Sequence, residues 1–260
     1  MSGNESMRGP RHEIEIDLRY VGPPRITQGG YISGLLAMHL DTDTVEVSMR
    51  SPTPMNRKLM LDLGVPGRVR LYDGERLLNE ARPAELDLEI PEPVTMEEAR
   101  RSSLRHVTDM PYPYCFGCGS ARGEDEGLHL RSGPVSGRNL VATDWVPTAG
   151  AAGAGAGEPV PLPITWAAME CPTARAMEIG DLKGPDELIL LGRMTTRVEG
   201  LPRVGRPCFF MGWPLGREGR KISLAGTMHD ESGRLLVMSK LLFITLKEGA
   251  TYDDYQPGLG

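Results

Sequence analysis

The stretch Gln28-Gly29-Gly30-Tyr31-Ile32-Ser33-Gly34-Leu35-Leu36-Ala37-Met38-His39-Leu40 decides how this chain is read. Two glycines open a segment in which Tyr31, Ile32, Leu35, Leu36 and Met38 recur at helical spacing, with small Ser33, Gly34 and Ala37 between them. That spacing predicts a helix over 31–40 that packs closely against a sheet. A second apolar helix is predicted over 164–179, bent or interrupted by Pro172, which has no N–H to donate. It carries a carboxylate, Glu170, among Trp166, Ala167, Ala168, Met169 and Cys171. Burying a carboxylate without a partner is costly, so Glu170 stands out from its neighbours. The matching position in the first helix is Ala37, and the match to Gly30 in the second is Pro163. Each helix therefore holds what the other lacks.

The flanking sequence repeats in the same order. In the first half, alternation over 12–20 predicts a half-buried strand. The segments 44–50, 59–63 and 68–72 read as strands, and 77–90 as a long, broken extended stretch. Asp73-Gly74 is a hairpin signal. In the second half, 128–130 and 139–145 read as extended, and 188–198, 208–213, 221–228 and 235–246 as strands. Ser232-Gly233 marks a hairpin in the place that Asp73-Gly74 holds earlier. Each half thus reads as a strand, a helix and four strands, and duplication of one α+β unit explains this better than coincidence. Thr95-Met96-Glu97-Glu98 has the form of a capping box and opens a charged helix to about Arg105 between the halves. The stretch 148–157 is nearly all Ala and Gly and reads as a tolerated surface loop. The expected division is an N-terminal unit over 11–93, a connecting helix and linker over 94–112, and a C-terminal unit over 113–248. The chain ends look frayed.

Composition limits the function classes. The chain has 260 residues, 40% of them hydrophobic, and a net charge of −6. That is enough apolar material for a core, and it lacks the basic stripe that nucleic acid requires. No signal peptide, transmembrane run or lipidation motif is visible. Four cysteines are too few for a disulfide scaffold, so a cytoplasmic protein without membrane association is expected. Cys115 and Cys118 form a C-x-x-C, but zinc would need two more ligands, and Cys171 and Cys208 look isolated in sequence. A tight turn is the favoured reading of that pair, with no metal expected, and a zinc shared between two chains is the alternative. No G-x-S-x-G occurs, so a serine-nucleophile hydrolase has no support.

Four segments resemble one family. Cys115-Phe116-Gly117-Cys118-Gly119 followed by Gly127-Leu128-His129-Leu130 is similar to the CFxCG…GLxL opening of double-hotdog acyl-CoA thioesterase-like proteins, members of the hotdog superfamily. Trp166-Ala167-Ala168-Met169-Glu170-Cys171-Pro172 resembles their WAALDCP segment, with Glu in place of Asp. Gly212-Trp213 and Gly219-Arg220-Lys221 resemble GW…GRK, and Gln28-Gly29-Gly30-Tyr31 their N-terminal glycine motif. Together these span roughly residues 13–246.

The resemblance implies a tandem hotdog: two antiparallel sheets, each wrapped around a central helix, pairing within one chain as a pseudo-dimer. It also implies a site at the seam. There, N–H groups at a glycine-opened helix N-terminus polarise a carbonyl, a charge-stabilising device typically worth about 2.7–4 kcal/mol per donor. The expected catalytic set is Glu170 as base or nucleophile, Gly30 as carbonyl-polarising donor, and Gln28 and Thr173 in support. Gly29, Tyr31, Trp166, Arg220 and Lys221 are the expected substrate-binding set. Many members begin the glycine motif with His, where this chain has Gln28. The implied reaction is hydrolysis of a thioester on coenzyme A or an acyl carrier protein, at one composite site whose mirror-related copy is dead. Coenzyme A enters only as part of the substrate, and no separate cofactor is expected. A non-catalytic acyl-binding or assembly module, and a lyase or hydratase on the same scaffold, are the alternatives. Oligomeric state is left open, with a homodimer compatible.

Overall fold

The computed structural model describes residues 11–105 and 112–255. The expected linker over 94–112 and the ends read as frayed lie partly outside these residues. Eleven strands form a single sheet: β1 (Arg11–Glu15), β2 (Thr44–Met49), β3 (Lys58–Val65), β4 (Arg68–Asp73), β5 (Arg76–Pro83), β6 (Gly133–Pro134), β7 (Val141–Trp145), β8 (Ile189–Val198), β9 (Cys208–Glu218), β10 (Lys221–Asp230) and β11 (Leu235–Thr245). Among the described residues five α-helices accompany it: α1 (Gly29–Ala37), α2 (Met96–Ser103), α3 (Ala149–Ala152), α4 (Leu162–Ala174) and α5 (Ala176–Ile179).

The strand order across the sheet is β1-β3-β4-β5-β2-β8-β11-β10-β9-β7-β6. Read outward from the centre, the second half follows the order of the first, with β8 in the place of β2 and β7 in the place of β1; β6 is an addition at the edge. The two expected sheets are therefore one. The reason is that β2 and β8 pair antiparallel, from Thr44↔Arg197 to Ser48↔Arg193. Once those edges meet, their unpaired backbone groups are satisfied and no internal edge is left exposed.

Both central helices lie on one face of this sheet. α1 rests on β2, β4 and β5, and α4 on β7, β9, β10 and β11. One apolar core runs through both halves, including Leu36, Val47, Leu71, Trp166, Met194 and Leu241. The helices also pack on each other, and glycine makes this possible. A Cβ on Gly30 would lie 2.6 Å from the Trp166 carbonyl oxygen, and one on Gly34 would lie 2.6 Å from Pro163 Cα. Each glycine costs a helix up to about 1 kcal/mol relative to alanine. Here that cost secures a crossing that no side chain would permit.

The local signals explain several boundaries. β1 stops at Glu15, short of the expected 12–20, because Asp17 accepts a hydrogen bond from the Arg19 N–H at 2.7 Å and turns the chain. α2 begins with the capping box Thr95–Glu98. It covers the opposite face of β7 and β9 through a second apolar cluster that includes Ala99, Phe209, Met211 and Trp213. Pro172 stays within α4, and the break into α5 falls three residues later at Arg175. Leu128–Leu130 is not a strand of the sheet. Its N–H groups bond instead to Phe116 and Gly117 carbonyls at 2.8 and 2.9 Å.

The Ala/Gly stretch is a correction. Ala149–Ala152 within it form α3, with Thr148 capping Ala151 at 3.3 Å and Gly153 ending the helix at φ +66°, while 154–157 stay turn and loop as expected. Ala151 and Ala152 are buried in the main core, and the Arg19 guanidinium holds the Gly150 and Ala151 carbonyls. Small side chains here permit close packing, where the sequence reading saw only a loop. No helix among the described residues is long and apolar enough to cross a membrane.

Replacing Gly34 with Ala puts a methyl group against α4 backbone. Overpacking of this kind costs about 1–3 kcal/mol. A melting temperature lowered by several degrees is expected by calorimetry, and an unchanged melting temperature would contradict the close crossing.

Candidate functional site

The crossing brings the N-terminus of α1 against the middle of α4. The Gly30 N–H donates to Glu170 Oε2 at 2.6 Å. Glu170 Oε1 lies beside Gly29, 3.2 Å from where a Cβ would stand. The carboxylate thus sits on the positive end of a helix, with glycine leaving it room. Burial pushes the Glu170 pKa up to about 8; the Gly30 and Gly29 N–H groups pull it down, and the Cys115 thiol pushes it up. Of these effects burial prevails. A hydrogen bond to a charged group contributes about 1.5–3 kcal/mol, and enclosure by protein outweighs it here.

Gln28 ties the two helices together. Its Oε1 caps α1 by accepting from the Tyr31 N–H at 2.6 Å, and its Nε2 donates to the Ala167 carbonyl at 3.1 Å. The side chain is buried. Both ends of its amide are already engaged, so it acts here as a cap and a brace.

Gln28, Gly29 and Glu170 open onto a cavity of about 900 Å³. Apolar residues make much of the wall, among them Ile26, Ile32, Met49, Met177, Leu191 and Phe243. Arg50, Lys183, Arg220 and Lys247 line it as well. Arg220 is exposed and donates to the Thr245 carbonyl at 3.0 Å.

Other expected site residues fall elsewhere. Thr173 is buried against the sheet, its side chain packed over Gly226 and its backbone over Gly212, and it does not line the cavity. Trp166 is buried against Gly34, and Tyr31 stacks on Tyr20 with ring centroids 3.6 Å apart; neither lines the cavity. Lys221 faces a separate surface depression with Glu46, Arg193 and Lys240.

Sequence reading also set Cys171 apart, and the fold does the opposite. Cys171 lies with Cys115 and Cys118, all three at the cavity wall. The Cys115 thiol is held well below its ordinary value by donation from Cys118 and Cys171, while Cys118 and Cys171 are pushed well above theirs. The adjacency of Cys171 to Glu170 was the one signal that could have placed it here. Arg50, Lys183 and Lys247 carry no such signal, because they come from separate loops and strand ends.

No protein-family model and no curated protein sequence matches the chain. Solved structures do. A conserved protein of unknown function with hot dog fold from Alicyclobacillus acidocaldarius is 10% identical, with 95% of each chain covered and a TM-score of 0.61. The acyl-CoA thioesterase II TesB2 of Mycobacterium marinum is 9% identical, covering 92% of this chain and 94% of its own, at 0.54. The dehydratase domain of a mycocerosic acid synthase-like polyketide synthase is 11% identical, with 91% of each chain covered, at 0.56. At such identities the likeness shows the fold alone: the chain has an α+β hotdog fold over almost its whole length.

Truncating Gln28 to Ala removes the cap and the brace together. Loss of an N-cap alone costs about 0.5–2 kcal/mol. Urea unfolding should show a lower midpoint with an unchanged slope, and an unchanged midpoint would remove this role from Gln28.

Proposed function

We propose that the chain hydrolyses an acyl thioester, on coenzyme A or an acyl carrier protein, at one composite site between the N-terminus of α1 and Glu170. In this reading the two repeats form a tandem hotdog, a pseudo-dimer within one chain. The observation that carries it is the Gly30 N–H to Glu170 contact at the wall of a cavity large enough for an acyl group. The Mycobacterium marinum neighbour, named as an acyl-CoA thioesterase, lends the substrate class.

The chemistry follows from the groups present. A water beside Glu170 Oε1 gives its proton to the carboxylate as its oxygen attacks the thioester carbon. The α1 N-terminus, through Gly29 and Gly30, is the source of positive potential for the oxygen that becomes negative. Collapse breaks the C–S bond, and Glu170 returns its proton to the departing thiolate. The products are a carboxylic acid and a thiol. Arg50, Lys183, Arg220 and Lys247 suit the phosphates of coenzyme A, and the apolar wall suits the acyl chain. By the repeat's own logic, the mirror position pairs Pro163 with Ala37 and has neither donor nor acid.

One observation favours a second reading, that of a non-catalytic acyl-binding module. The Gly30 N–H, expected to meet a substrate carbonyl, already holds Glu170, and Gln28 has both amide ends engaged. A dehydratase reading finds less support. Of the histidines among the described residues, none lines the cavity, and His229 is buried where it stacks on Phe209.

Glu170→Gln keeps the size and an acceptor for the Gly30 N–H. Thioester hydrolysis should fall by about 10²–10⁴-fold while the circular dichroism spectrum is retained; full activity would end the assignment. Mass spectrometry with an acyl-CoA panel separates the readings, since ligand retained without hydrolysis by the unaltered chain favours the binding module. Reversing charge in Arg220→Glu combined with Lys247→Glu should raise KM for acyl-CoA roughly tenfold, as loss of phosphate pairing does. A pantetheine thioester, which lacks the nucleotide, should be spared. Equal loss on both substrates would place the phosphates elsewhere.

A further inference from the structure

The sulfur atoms of Cys115, Cys118 and Cys171 all lie within 4.8 Å of one another, with Cys115 and Cys171 3.8 Å apart. A metal bound tetrahedrally by thiolates at about 2.3 Å sets its sulfurs about 3.8 Å apart. The triangle has that scale already.

The backbone around it is shaped to keep that scale. Gly119 donates its N–H to the Cys115 carbonyl at 2.8 Å, and a Cβ there would stand 2.6 Å from the same oxygen. A Cβ on Gly117 would collide with Cys171 Sγ, so glycine leaves the third sulfur its place. Phe116 is fixed from both sides, donating to the Val21 carbonyl at 2.7 Å and accepting from Leu128 at 2.8 Å. Leu130 donates to Gly117 at 2.9 Å. The C-x-x-C turn is thus held by α1's leading loop on one side and by the Leu128–Leu130 segment on the other. Cys171 comes from α4, so the three donors converge from two distant parts of the chain.

We propose that Cys115, Cys118 and Cys171 bind a zinc ion whose fourth position opens onto the cavity. Thiolates are soft donors that select zinc over magnesium or calcium. Three protein ligands with an accessible fourth side is the open form of a zinc site, as opposed to the closed four-ligand structural form. The Glu170 carboxylate is taken by α1 and is not part of the triangle. A water or a thiol from the cavity completes the coordination. Binding displaces the thiol protons, so three sulfurs reach the metal as thiolates. A disulfide would join two of the three sulfurs and strand the third.

The test uses the full chain, reduced, stripped with a chelator and reloaded with zinc or cobalt. Elemental mass spectrometry should find about one zinc per chain, retained through desalting. The cobalt form should show thiolate-to-metal charge transfer of the strength three sulfurs give, a readout that needs neither a variant nor activity. Cys171→Ser should weaken zinc binding by at least tenfold, while Cys208→Ser, buried outside the triangle, should leave it unchanged. Metal at background after reloading would overturn the site, as would equal binding by Cys171→Ser or a Cys115–Cys171 disulfide persisting under reducing conditions. None of these outcomes depends on thioester hydrolysis, so the two proposals fail separately.

Discussion

The close crossing of α1 and α4 is the constraint on which the rest depends. Two backbones meet at Gly30 and Gly34 with no room for a single carbon between them. This contact sets the distance between the halves on the helix side, as the β2–β8 ladder sets it on the sheet side. The Gly30 N–H reaches Glu170 only because the helices lie this near. The same approach delivers Cys171, one residue further along α4, to the C-x-x-C turn. A looser packing of larger side chains would bury as much apolar area and would lose both contacts. Area alone does not specify this structure, and van der Waals fit at two glycines does.

Much of the fold was legible because it rests on periodicity. The alternation of Thr44–Met49 and the helical spacing after Gly30 are local signals, and both elements form, although α1 runs Gly29–Ala37 and stops three residues short of the expected 40. The joining of two sheets into one was less visible, since strand edges meet through backbone groups that every sequence carries. Ala149–Ala152 escaped because alanine reads as featureless until a neighbour, here Arg19, gives its helix a place. In the candidate site, the residues that meet, Gln28, Gly29, Gly30 and Glu170, stood out in sequence as exceptions to their surroundings: glycines at a helix start, an acid in an apolar face. Thr173 shares a helix with Glu170 but turns to the sheet, a difference of direction that sequence spacing across a proline conveys poorly. Cys171 was missed because its partners lie more than fifty residues away, and no local pattern announces a meeting of that kind.

The electrostatics of the seam are a balance in which each group is defined by its neighbours. A helix terminus offers Glu170 positive potential, and the protein around it withholds water. Three thiols beside it share the character of one acid, with Cys115 drawn down and its partners driven up. The cations stand apart, lining the cavity on Arg50, Lys183, Arg220 and Lys247. The acid and the thiols thus lie at the helix crossing, while Arg50, Lys183, Arg220 and Lys247 come from strand ends and loops.

The β2–β8 ladder joins two halves of like strand order within one chain. Between identical subunits, two-fold symmetry would apply every substitution twice, once on each side of the interface. A proline in place of Gly30 would then strike both helices at once. Here the two sides are encoded separately, and Pro163 occupies the first turn of α4, where its fixed φ favours the start of a helix. One half has glycines that weaken its helix, and the other has at the matching place a proline that firms its own. With both sides in one chain the interface need not be symmetric, and each side can carry the residue that suits its own helix.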